Sequence, residues 1–232
     1  MSDERFGWMR GPRETVLAVV LYLVVFGLAV RLPGWLHYPR GRFVPPSVLT
    51  HAIMAAASLG LAALMTRGWR RRLALSLGSY RFSPRILLRV LLPAVPSTLA
   101  ALSGRTGKAD PLGMSPLRAV LFIWILSSFC EELFARGFLQ GHLAMEAQRG
   151  THLFGRWFLG VPVWVSAILF GLGHLVLWPV LGAASIPICV SAAVLGLIAG
   201  YYRQETGSLL PAFLVHLLFN VGGSVPGWLI GG

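Results

Sequence analysis

The sequence predicts an all-α, polytopic transmembrane helical bundle of about seven spanning helices, with a range of about six to eight, and three observations predict it. Apolar residues make up 56% of the 232-residue chain and charged residues only 12%, about half the charged share of an ordinary soluble domain. The mean hydropathy is +0.71. The apolar residues fall into long runs separated by short loops rich in Arg, Gly and Pro, which is the pattern of a multi-pass membrane protein. The formal charge of +12 comes almost wholly from arginine. Because these arginines occupy the loops, they are topology signals and headgroup contacts, and the charge does not imply nucleic acid. Cys130 and Cys189 lie in apolar segments without CxxC spacing, so they fix neither redox compartment nor metal.

After a polar and basic start, Val16 to Val30 with its flanks approaches the roughly 20 residues a spanning helix needs. No small-x-small cleavage site follows, so a retained first helix is expected rather than a signal peptide. A second span runs from about Val48 to Met65, ended by Arg67, Arg70, Arg71 and Arg72. A third, about Ile86 to Leu102, is weakened by Arg89, Pro93 and Pro96. Arg105 to Met114 is a polar connection to the fourth span, roughly Pro116 to Gln140. A basic linker, Gly141 to Arg156, leads to a fifth span from about Trp157 to Trp178. The sixth covers about Ile186 to Tyr201, and the seventh starts near Leu209 and is expected to break at Gly222, Gly223 and Pro226. The distribution of loop arginines puts the N-terminus in the cytoplasm. A prokaryotic cytoplasmic membrane is the expected location.

The fourth span carries Cys130-Glu131-Glu132-Leu133-Phe134-Ala135-Arg136-Gly137, two carboxylates and a guanidinium in an apolar segment. Such groups cost on the order of 3 kcal/mol each near a bilayer centre, so they face the protein interior and serve function. Adjacent helical residues point about 100° apart, whereas Glu132 and Arg136 at i and i+4 share one stripe. Arg136 is therefore expected to neutralise Glu132 and to leave Glu131 as the free carboxylate, the general-base candidate. The fifth span bears Phe170 and His174, and the seventh bears His216 and Asn220 one turn apart on one face. A buried carboxylate, two imidazoles and a carboxamide are the parts for activating a water and holding the oxyanion of a tetrahedral intermediate. Peptide hydrolysis is the reaction class these parts suggest.

The three segments resemble a known family. Glu131-Glu132-Leu-Phe-Ala-Arg136 matches EExxxR, Phe170-Gly-Leu-Gly-His174 matches FxxxH, and His216-Leu-Leu-Phe-Asn220 matches HxxxN, in that order on successive helices. This is the signature of the CAAX protease and bacteriocin-processing (CPBP) family, the glutamate-dependent intramembrane endopeptidases also called Abi proteins. The resemblance spans about Leu117 to Gly223 and divides the chain into N-terminal membrane helices, 1–115, and catalytic core helices, 116–232. It implies that Glu131 and His174 activate the attacking water, that His216 and Asn220 stabilise the oxyanion, and that Glu132 and Arg136 support the site. It implies no cofactor by necessity; Glu131, His174 and His216 are the set that would hold zinc if a metal were used.

The remaining polar groups have plainer readings. Phe170 is expected to pack, walling the water site. His142 and His152 are expected to be solvated in the linker, and His37 and His51 hydrated near helix ends. Cys130 is expected to be inert in its apolar setting. Gly196-Leu-Ile-Ala-Gly200 has the spacing of a close helix contact. The functional expectation is an integral membrane endopeptidase acting near the terminus of a membrane-associated substrate, for which the family resemblance implies a prenylated tail, a bacteriocin or peptide leader, or the C-terminal anchor of a surface-sorted protein. Its partners are that substrate and the lipid bilayer. The competing readings are a proton- or ion-coupled transporter and a non-catalytic scaffold. Helix depths favour a site entered from the cytoplasmic half.

Overall fold

In a computed structural model, the chain is described over residues 12–37, 44–66, 68–75, 115–143 and 148–231. Helix α1 (Pro12–Trp35) opens with Pro at its first position, where a missing N–H costs nothing. Glu14, in the first turn of α1, pairs with Arg72 at 3.5 Å. Helix α2 (Ser47–Met65) follows Pro45-Pro46 and stops where Thr66 turns extended. Buried Ala18, Ala29, Ser58 and Ala62 let α1 and α2 lie close. The short α3 (Trp69–Arg72) carries the basic cluster that ends the second span. The expected third span and the polar connection after it lie outside the described residues.

Helix α4 (116–142) is the axis of the bundle. From Glu132 to Leu143 every residue is buried, with α1, α2, α5 (Val161–Gly173), α7 (Ser185–Thr206) and α8 (Leu209–Gly231) around it. It is not uniform: Ala119–Ser127 and Leu133–Leu139 are wound in the wider π-helical manner, and Ser128–Glu132 between them is α-helical. π-Helical winding recurs at functional sites, and here the two glutamates close the α-helical segment between two wide stretches of nine and seven residues.

The expected fifth span needs correction at both ends. Its first residues form a hairpin, β1 (Gly150–Leu153) antiparallel to β2 (Trp157–Gly160), with Phe154 and Gly155 left-handed at the turn. Gln204 at the end of α7 ties β2 down, accepting from Gly160 N at 3.0 Å and donating to Phe158 O at 3.0 Å. Helix α5 then starts at Val161, with Pro162 in its first turn, and changes to a 3-10 turn at His174–Leu177. Short α6 (Trp178–Leu181) and a second 3-10 turn, Gly182–Ala184, lead into α7. Gly207, at φ 64°, ends α7 in the left-handed conformation that glycine adopts without strain.

The C-terminal helix also runs further than expected. Gly222, Gly223 and Pro226 do not break α8, which continues to Gly231. In an apolar medium an open helix end leaves backbone groups unpaired, so continuing the helix outweighs poor propensity. Helices α5 and α7 meet at the small residues the spacing singled out: a side-chain carbon on Gly196 would lie 2.8 Å from Ala167 Cα, and one on Gly200 would lie 3.0 Å from Val163. Among the described residues, Arg13–Trp35, Ser47–Met65 and the continuous helical run Val161–Thr206 are long and apolar enough to cross a bilayer. Over the described residues the protein is a helical integral membrane bundle with one small hairpin.

Candidate active site

Glu131 and Glu132 are neighbours in α4 with different surroundings. Glu132 is fully buried and Glu131 keeps 18% of its side chain exposed. The Arg136 guanidinium lies 3.2 Å from Glu132 Oε1, as the i, i+4 spacing predicts, and the His216 ring donates from Nδ1 to the same oxygen at 2.9 Å. Arg136 is itself fully buried, lies 4.4 Å over the face of Phe170, and makes no aligned hydrogen bond. Charge and a π-face hold it. Removing two ions from water is repaid only where opposite charges sit this close, which makes the triad of Glu132, Arg136 and His216 a sealed unit.

Glu131 is not the unpartnered carboxylate the sequence suggested. Ser127, one turn earlier, donates its hydroxyl to Oε1 at 2.6 Å, and His51 Nε2 of α2 lies 3.0 Å from the same atom. The other oxygen, Oε2, is 3.9 Å from His216 Nε2. His216 therefore stands between the two glutamates, one ring nitrogen on each side.

His174, at the junction of α5 and the 3-10 turn, is half-buried. Its Nδ1 donates to Phe170 O at 3.0 Å, leaving Nε2 as the acceptor nitrogen. Phe170 meets both histidines edge-on, with centroids 5.0 Å from His174 and 5.6 Å from His216. Its packing role is as expected, and it also separates the sealed triad from the open side. Asn220 donates to Ser128 Oγ at 3.0 Å and approaches Ile123 O at 3.5 Å.

Glu131, His51, His174 and Phe170 line one cavity of about 300 Å³. Its other walls are mostly apolar, with Tyr22 and Phe26 from α1, Met54 from α2 and Phe134 from α4. Tyr22 stacks on Phe134 at 4.3 Å and closes that wall. Of the residues singled out from the sequence, Glu131, His174 and Phe170 face this space together. His216 reaches Glu131 from behind, and Glu132, Arg136 and Asn220 are not among the lining residues.

Two histidines read as hydrated are not. His142 is fully buried, its Nδ1 bonded to Phe138 O at 2.7 Å, because α4 extends past Gln140 into the packed interior. His51 is buried against Glu131. The only sequence signal for His51 was an imidazole in the first turns of an apolar helix, which does not separate a hydrated ring from one facing a carboxylate. His152 is exposed on the hairpin, as expected.

Of the set named for zinc, Glu131 Oε1 accepts from Ser127 and lies 3.0 Å from His51, while His216 and His174 hold Glu132 and a backbone carbonyl through Nδ1 and keep Nε2 as the open ring nitrogen. Among the described residues no group of three or more His, Cys, Asp or Glu side chains is arranged to hold a metal ion.

A family model described as type II CAAX prenyl endopeptidase Rce1-like matches residues 113–222. That segment contains both glutamates, Arg136, Phe170, His174, His216 and Asn220, and begins after His51. No curated protein and no solved structure matches the chain significantly.

Proposed function

We propose, from the match of residues 113–222 to the Rce1-like model of type II CAAX prenyl endopeptidases, that the chain hydrolyses a peptide bond near the C-terminus of a prenylated, membrane-associated protein or peptide. The observation that carries the reading is the shared cavity: a carboxylate and an imidazole from two helices open onto one largely apolar hollow of about 300 Å³. Apolar walls suit a lipidated substrate, and the few polar groups suit a water at the scissile bond.

In the proposed step a water beside Glu131 gives its proton to the carboxylate as its oxygen attacks the carbonyl carbon, with His174 orienting it. The tetrahedral intermediate carries a negative oxygen, a role the family resemblance gives to His216 and Asn220, which here hold Glu132 and Ser128 and stand behind the cavity wall. Collapse breaks the C–N bond, and the proton held by Glu131 passes to the leaving amine. The sealed Glu132–Arg136 pair fixes the turn from which Glu131 projects. The N-terminus is assigned to the cytoplasm, with substrate entering from that half of the membrane, and the protein to a prokaryotic cytoplasmic membrane.

The test is cleavage of a farnesylated CAAX peptide by purified protein in detergent, with Glu131→Gln and His174→Ala beside the wild type. A C-terminal tripeptide product made by the wild type and lost in both variants supports the proposal. A folded wild type that yields no product from prenylated, leader or anchor peptides sinks it. Unchanged rates after dialysis against a chelator are expected, because the proposed step uses only protein side chains and water.

A further inference from the structure

Among the described residues, Ser127 on α4 and a side chain on α2, outside the segment that carries the family signature, are the groups within hydrogen-bonding distance of Glu131. His51, Ser127 and Glu131 form a closed triangle: Ser127 Oγ to Glu131 Oε1 at 2.6 Å, His51 Nε2 to the same oxygen at 3.0 Å, and Ser127 Oγ to His51 Nε2 at 3.1 Å. Ser127 has one proton, and the shortest side commits it to the carboxylate. His51 Nε2 must then supply the hydrogen on the other two sides. Its Nδ1 is buried without a partner, which agrees with the ring proton lying on Nε2.

The arrangement is not a serine-nucleophile relay. In such a relay the carboxylate holds one ring nitrogen and the hydroxyl meets the other; here both meet Nε2, and Ser127 is itself the donor to the acid. What the triangle does is occupy Oε1 from two directions, one within α4 and one from a separate helix. A glutamate side chain has three rotatable torsions, and two donors on different helices fix the carboxylate plane. Oε2 is thereby left as the oxygen toward His216 Nε2, 3.9 Å away. His51 also lines the cavity, so the lock is made at the wall where a reacting water would lie.

We propose that His51 is a positioning residue for Glu131: with Ser127 it holds Oε1 so that Oε2 alone is presented as the base. The inference rests on Glu131 being that base, and it makes the N-terminal half of the chain part of the active site. Small misplacements of a reacting group cost up to about 10²-fold in rate.

The test measures cleavage of the farnesylated peptide by His51→Leu, His51→Gln and Glu131→Gln, each checked for folding by thermal unfolding in detergent. His51→Leu removes the donor and is expected to lower kcat by roughly 10- to 100-fold with KM within about twofold. His51→Gln returns an amide donor at similar reach and is expected to recover kcat to within about threefold of wild type. A merely structural role would move unfolding temperature and would not be rescued selectively in kcat. Wild-type kcat in His51→Leu, or His51→Gln as slow as His51→Leu, overturns the proposal. If His51→Leu does not fold, His51→Asn, whose amide is one methylene shorter, must fall below His51→Gln for the proposal to stand. Loss of activity in Glu131→Gln alongside full activity in His51→Leu defeats this inference only; full activity in Glu131→Gln defeats the assignment of the base as well.

Discussion

Two sides of one helical turn solve the same electrostatic problem in opposite ways. On the sealed side, Glu132 is fully buried, with Arg136 at 3.2 Å and His216 at 2.9 Å, and solvent has no access. On the open side, Glu131 meets two neutral-capable donors, a serine and a histidine, and faces a cavity. A carboxylate matched by a permanent cation is held in place but has little left to offer a proton. One held by hydrogen bonds from a serine and an imidazole stays put and keeps an oxygen available. The step of about 100° between adjacent helical residues is what separates the two environments.

The largest expected effect breaks the open side. Glu131→Gln should cut kcat by roughly 10³-fold or more, within the range a positioned general base contributes, and should barely move the unfolding temperature. Rate assays and thermal unfolding on one preparation check both halves. If Glu132→Gln instead abolished the rate without lowering stability, the two glutamates would have exchanged roles.

The next prediction breaks the sealed side. Arg136→Met strands Glu132 beside His216 in the interior and should cost about 3–5 kcal/mol of stability, as breaking a buried pair does. Adding Glu132→Gln to it removes the stranded charge and should restore much of the loss. A double-mutant cycle on denaturation midpoints reads the coupling directly.

A smaller effect sharpens the boundary between the sides. A side-chain carbon on Gly196 would lie 2.7 Å from an Arg136 guanidinium nitrogen and 2.8 Å from the Ala167 backbone. Gly196→Ala should cost about 1–3 kcal/mol by overpacking, while the rate per folded molecule stays near wild type because Gly196 does not line the cavity. A rate loss exceeding the loss of folded protein would show that the sealed side also tunes the chemistry.

The smallest effect concerns His142, in the last turn of α4 and past Gln140, the expected end of the fourth span. Burial, opposed by the Phe138 carbonyl and aided by the Arg72 charge, holds its imidazole below the ordinary histidine value of 6.5. The folded protein then refuses a proton that the unfolded chain accepts. The full stability is present above about pH 6.5 and is lost as pH falls below it. His142→Phe should flatten the decline between pH 7.5 and 5.5, measured as the difference in unfolding temperature. An identical decline in wild type and variant would remove His142 as its source.

How much of this was legible beforehand differs by residue. The i, i+4 rule identified the Glu132–Arg136 pair because one helix fixes that geometry locally. The contact of α5 with α7 through Gly196 and Gly200 was legible for a related reason: small residues at helical spacing have few other uses in an apolar segment. The partners of Glu131 were not. Ser127 is one turn away in the same helix but looks like any serine, and His51 is 80 residues distant. The hairpin before α5 was missed because Trp157–Gly160 is apolar and merges with the helical run that follows.

The sequence by itself determined that this is a helical membrane bundle, which helices carry the ionisable groups and which arginine neutralises which glutamate, because hydropathy and helical spacing act over short stretches of chain. Only the tertiary structure decided that a histidine from the second helix grips Glu131, that His216 spans both glutamates and that Asn220 turns to Ser128. These are contacts between helices. Their geometry depends on how whole helices pack, which no local spacing encodes.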